Sequence, residues 1–272
     1  MSTMTDLPIG MFDSGVGGLT VLREVMRQLP RESITYFGDT ARVPYGSKSR
    51  DVIVRFSTEI GQFLMQERVK MLVVACNTAS AFALPVMRQR FTVPIIGVIA
   101  PGARAALAAT QTKRIGVIGT EGTIESQAYS EAIHYLDPHA EVFGQACPLI
   151  VPLVEEGWID KPVARDIVKE YLLPLLENKI DTLVLGCTHY PLLKGLLSSV
   201  AGPHVTLIDS AEETARAMGQ LLNENHLEAS SNNSAIRRFY VSDAPEKFER
   251  TGRRFLGEPI PGVKRVDIGT WV

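Results

Sequence analysis

The sequence predicts an α/β fold built on mostly parallel sheets. Three observations predict it. Short apolar runs recur along the 272 residues. Each run is followed by a turn signal and then by apolar residues at helical spacing. The runs are continuous rather than alternating, as expected of strands covered by helices on both faces.

The elements follow in order. Residues 9–12 (Ile-Gly-Met-Phe) form the first apolar run and lead into a glycine cluster. Leu19, Leu22, Val25, Met26 and Leu29 then repeat at helical spacing. Residues 34–37 predict a second strand, entering a loop over 38–48. Ser49 is a candidate N-cap for a long helix with Val52, Ile53, Phe56, Ile60, Phe63 and Leu64 on one face. Residues 71–75, 95–98, 115–118, 183–185 and 205–208 continue the strand series, and 239–241 and 263–266 are fainter candidates. Residues 227–235, rich in Ser and Asn, predict a surface loop.

Composition narrows the function. The chain is 45% hydrophobic and 21% charged, as in ordinary globular proteins. Its formal net charge of −2 creates no field to hold a polyanion, so no nucleic-acid partner is expected. The pair Arg253 and Arg254 predicts a solvated helix face. The first residues carry no secretory pattern. The longest apolar candidate, 93–103, is broken by Pro94, Gly97, Pro101 and Gly102 and ended by Arg104. A cytoplasmic protein with no membrane partner is expected. Three cysteines, an odd number in a chain this long, argue against a disulfide framework. Each is then a core residue or a reactive one.

A long-range self-similarity separates them. Residues 72–78 (Leu-Val-Val-Ala-Cys-Asn-Thr) resemble 183–189 (Leu-Val-Leu-Gly-Cys-Thr-His). Upstream of each lies another strand ending in small residues, one at Asp13 and one at Thr120, with nearly the same offset as the cysteines. Two similar α/β halves would produce this pattern. Cys76 and Cys187 then sit where buried strands end, the place where open α/β sheets bind ligands. Polar side chains follow each: Asn77 and Thr78 in one half, Thr188 and His189 in the other. Helix N-termini there would lower a thiol below its ordinary value of about 8.5. Cys147 has no such company and reads as core.

The remaining candidates are less specific. The cluster from Asp13 to Thr20 fails the dinucleotide fingerprint, because Thr20 stands where the last glycine belongs, and it lacks the phosphate-loop lysine. It remains a tight turn able to hold a small anion such as a carboxylate. Asp13 reads as an acid/base partner or as a helix cap. His189 could relay protons for Cys187. Glu155, near a helix end, could reach a cleft. Cys76, Cys187 and His189 lack zinc-site spacing, so no metal is expected.

Four segments then carry a resemblance: residues 12–20, 38–46, 75–80 and 186–191, supported by 239–243. Together they closely resemble bacterial glutamate racemases, within the aspartate/glutamate racemase family, from about Pro8 to Gly257. The resemblance implies two pseudo-symmetric three-layer α/β domains with the active site in the cleft between them. The first domain would be discontinuous, 1–98 with 209–272, and the second would span 99–208. It implies proton transfer at Cα without a cofactor. Cys76 and Cys187 would be the bases, assisted by Asp13, His189 and Glu155. Substrate contacts would come from Asp13, Ser14, Tyr45, Gly46, Asn77, Thr78, Thr120, Thr123, Thr188 and His189. The resemblance also implies a homodimer that supplies D-glutamate for peptidoglycan. A thiol hydrolase or amidotransferase, needing only one cysteine, and a binding protein without chemistry are the competing classes.

Overall fold

The computed structural model describes residues 4–230 and 234–268. The chain runs β1 (Ile9–Asp13), α1 (Leu19–Gln28), β2 (Ile34–Gly38), α2 (Arg50–Gln66), β3 (Met71–Val74), α3 (Asn77–Arg90) and β4 (Ile95–Gly97). It continues through α4 (Ile99–Ala109), β5 (Arg114–Gly119), α5 (Glu121–Glu125), α6 (Ala128–Leu136), β6 (Glu141–Ala146), α7 (Ile150–Glu155) and α8 (Pro162–Glu177). Then come β7 (Thr182–Gly186), α9 (Lys194–Ala201), β8 (Thr206–Asp209), α10 (Ser210–Glu224), β9 (Arg237–Val241), α11 (Pro245–Leu256) and β10 (Lys264–Arg265).

Two sheets result, and every strand pairing in them is parallel. The first has the order β10-β9-β2-β1-β3-β4 and the second β6-β5-β7-β8. The inner part of the first, β2-β1-β3-β4, repeats the order of the second. This is the physical basis of the self-similarity: β1 corresponds to β5 and β3 to β7. The strand order reverses between β1 and β3, and again between β5 and β7. Loops leaving those strands diverge there and open a crevice at the strands' carboxyl ends. Asp13 and Cys76 flank one reversal, and Thr120 and Cys187 the other.

Packing explains the continuous apolar runs. Met11, Tyr36 and Val73 point to one face of the first sheet, while Phe12, Phe37, Leu72 and Val74 point to the other. The second of these faces packs beneath α2 and α3, where Ile53, Ile60, Phe63 and Ala83 are buried. The core on the first face continues into the second half through α10, which packs against both α1 and α4. After β8 the chain returns to the first sheet, where β9 pairs with β2.

Several details depart from the sequence reading. Ser49 stands at the N-cap of α2, but its side chain makes no capping bond. Strand β6 has no continuous apolar run because it lies at a sheet edge and is only partly buried. The run over 263–266 shortens to the two exposed residues of β10. Residues 227–230 and 234–236 lie outside helices and strands, and 231–233 fall outside the described residues. Among the described residues, no helix is long and apolar enough to cross a membrane.

Candidate active site

Cys76 is the N-cap residue of α3, with β-region backbone angles, and its carbonyl accepts from Ser80 N at 2.8 Å. Its Sγ lies 3.8 Å from Ser14 Oγ, in the loop after β1. Cys187 follows β7 and enters a 3-10 turn, Tyr190–Leu193, rather than an α-helix. Tyr190 is fully buried and anchors that turn by donating from its hydroxyl to Cys147 O at 3.1 Å. Both thiols face one small cavity of about 50 Å³ between the two halves. At about 10–15 Å³ per water, that is room for roughly four waters.

Ser14, Tyr45, Gly46, Asn77 and Thr78 line this cavity, with Thr120, Thr188 and His189 facing them from the second half. The structure therefore gathers most of the residues singled out in the sequence. Asp13, Thr123 and Glu155 stand behind the wall instead. Asp13 does not cap α1, whose N-cap is Gly18. Its Oδ2 accepts from Gly15 N at 2.9 Å, while its buried Oδ1 has no partner. Thr123 touches Thr78 at 3.2 Å and Thr120 at 3.0 Å, and the Thr78 and Thr120 hydroxyls are 2.9 Å apart. Tyr45 lines the cavity, but its hydroxyl donates away from it to Asp39. Asn77 Oδ1 accepts from the Tyr129 hydroxyl at 2.8 Å, leaving Asn77 Nδ2 as a buried donor with no protein partner.

The halves meet closely here. Gly46 O accepts from Gly122 N at 2.9 Å, and Thr20 Oγ1 donates to Thr188 O at 2.9 Å. A Cβ on Gly17 would fall 2.2 Å from Thr188 Oγ1 and 2.7 Å from the His189 ring. Glycine at that position lets the turn after β1 approach the Cys187 loop.

Electrostatics corrects one expectation. Burial pushes the Cys76 thiol up to about 12, and the charge of Asp13 adds to the effect. The N–H of Ala79 at the α3 N-terminus and Ser14 oppose it without prevailing. Cys187 is also raised, first by burial, against the opposing N–H of His189. Desolvation of the charged form therefore outweighs the helix-end dipole. Burial likewise raises Asp13, with His189 and the Gly15 and Gly18 N–H groups pulling it back.

His189 connects the second thiol to a carboxylate. Its Nδ1 lies 3.9 Å from Cys187 Sγ, and its Nε2 lies 3.0 Å from Glu155 Oε1. Glu155 is held below the usual carboxylate range, chiefly by this hydrogen bond to His189. From the end of α7, Glu155 thus reaches the Cys187 thiol through His189. Cys147 is fully buried, and among the described residues no three His, Cys, Asp or Glu side chains group to hold a metal.

A model of the Asp/Glu/Hydantoin racemase family matches residues 9–218. The chain belongs to this family. It is 54% identical to the glutamate racemase of Syntrophus aciditrophicus over 261 residues, covering 96% of this chain and 97% of that one. Among solved structures, a glutamate racemase isoform from Bacillus anthracis superposes with a TM-score of 0.92 at 46% identity, covering 96% of this chain and 97% of that one. The Francisella tularensis glutamate racemase, solved in complex with D-glutamate, also gives 0.92, at 38% identity over 98% of this chain and 100% of that one.

Sequence reading missed two wall residues, Pro44 and Val151. Pro44 sits beside Tyr45 within the segment 38–46, which marks the place. Val151 is an apolar residue on α7 with no local signal. Nor did any signal mark Tyr129, which holds Asn77 from 52 positions away.

Proposed function

We propose that this chain interconverts L- and D-glutamate by passing the Cα proton between Cys76 and Cys187 without a cofactor. The observation that carries the reading is the pair of thiols at equivalent strand ends of two sheets, facing one cavity. Kinship of about half identity along nearly the whole chain supports glutamate as the substrate.

One thiolate removes the Cα proton on one face, and the opposite thiol delivers its proton to the other. The proton count is unchanged and the two sulfurs exchange roles. Negative charge grows on the substrate carboxylate as Cα is deprotonated, so fixed donors there lower the barrier. Asn77 Nδ2 and the N-terminus of α3 are suited to that carboxylate. Burial holds both thiols protonated. A substrate ammonium beside one of them would offset that burial and favour a thiolate where one is needed.

On this reading the protein is a cytoplasmic homodimer that supplies D-glutamate for peptidoglycan, with domains of 1–98 plus 209–272 and 99–208. Circular dichroism of L-glutamate with chelator-treated enzyme tests the activity. The signal should decay to zero, Cα should acquire solvent deuterium, and L-aspartate should react far more slowly. Cys76→Ala and Cys187→Ala should each stop turnover. Near-normal racemisation by either variant overturns the two-thiol reading.

A further inference from the structure

Helix α11 belongs to the half that carries Cys76, yet two of its residues reach the support of Cys187. Arg254 Nη1 donates to Val154 O at 3.0 Å and to Glu155 O at 2.9 Å. These are the last carbonyls of α7, a six-residue helix in whose final turn Val154 O also accepts from Gly157 N at 3.1 Å. A guanidinium at a helix C-terminus satisfies those oxygens and complements the dipole. Gly157, with φ of +73°, makes room for it: a Cβ there would lie 3.0 Å from the guanidinium carbon. The next residue, Phe255, is fully buried and meets the His189 ring edge-on at 5.0 Å between centroids.

One side chain thus fixes the backbone of Glu155, and its neighbour bounds the ring to which Glu155 is bonded. We propose that Arg254 is a positioning residue: it holds the end of α7 so that Glu155 keeps His189 turned toward Cys187, with Phe255 limiting the ring's movement. The kinetic part rests on the two-thiol reading, whereas the placement of His189 does not. Arg253 and Arg254 are both exposed, as expected of a solvated helix face, and Arg254 in addition ties the two halves together.

The test compares Arg254→Ala, Arg254→Lys and Arg253→Ala in the full chain. The imidazole ¹⁵N resonances of His189, assigned through His189→Gln, should move in Arg254→Ala. They should return toward the native positions in Arg254→Lys and stay in place in Arg253→Ala. In Arg254→Ala, kcat/KM should fall about 10- to 100-fold in both directions, the scale of a misplaced catalytic group. The α-deuterium isotope effect should rise for one glutamate enantiomer only, because one thiol alone loses its support. An unmoved His189 resonance overturns the proposal. So does activity within roughly twofold of native, or an isotope effect that rises equally for both enantiomers. A native enzyme inert toward glutamate would overturn the function reading and leave the His189 resonances to decide this one.

Discussion

Cys76 and Cys187 occupy the same place in two copies of one strand order, yet their surroundings differ. Cys76 stands at the N-cap of a fourteen-residue α-helix and is supported by its own half, through Ser14 and the Ala79 N–H, while the charge of Asp13 works against its thiolate. Cys187 precedes a 3-10 turn and is supported by an imidazole and a carboxylate, which are in turn braced by α11 from the other half. Strand order thus sets where a thiol sits. It does not set whether backbone dipoles or titratable side chains attend it. One thiol is served locally and the other across the interface.

The sharpest way to break this comparison is to remove each sulfur in turn. Cys76→Ala and Cys187→Ala should each lower kcat by about 10³-fold or more, within the range of acid–base catalysis. Coupled-assay rates in both directions check this. A large difference between the two variants would mean that the halves are not equivalent partners. Next, His189→Gln should lower kcat/KM by about 100-fold, whereas Ser14→Ala should cost only about threefold, the scale of a weak neutral hydrogen bond. Equal losses would erase the distinction between titratable and dipolar support.

The raised thiols make a third prediction, one on which the halves should agree. In the free enzyme at pH 8, iodoacetamide should label Cys76 and Cys187 at least about 100-fold more slowly than a free cysteine, because the thiolate is scarce. Mass spectrometry of timed samples reads this. Fast labelling of one site alone would show that its burial is relieved.

The smallest effect concerns stability. Glu155 is lowered in the folded state, so its contribution is complete above its unfolded value and is lost as pH falls through the lower, folded value. Its side chain is 40% exposed, which limits the gain to under about 1 kcal/mol. Urea midpoints at neutral pH and on acidification should therefore drop slightly more for the native protein than for Glu155→Gln. The matching change at Ser14 should leave that acid limb unaltered.

Much of this arrangement was legible in the sequence, for physical reasons. Strands buried on both faces are apolar throughout, so β1, β2, β3 and β7 stand out, whereas the partly buried edge strand β6 does not. The residues after β1, β3 and β7 were marked by unusual polar company at strand ends, and the structure brings Ser14, Cys76, Cys187 and His189 to one cavity. Tyr129, Arg254 and Phe255 were not legible as supports, because their roles come from contacts across long stretches of chain. The direction of the thiol shifts was also misread. A motif displays the helix end that lowers a thiol, but not the burial that raises it.

The cavity between the halves, about 50 Å³, is too small for a five-carbon amino acid. Each turnover of the proposed reaction therefore begins and ends with a parting at Gly46 and Gly122 and at the threonine hydroxyls. Between those partings the two sulfurs trade a proton out of reach of bulk water. The enzyme that releases one enantiomer is then left in the protonation state suited to taking up that same enantiomer again. Its readiness for the opposite one is restored by proton exchange with solvent, so the interval without substrate acts as a reset as well as an exit.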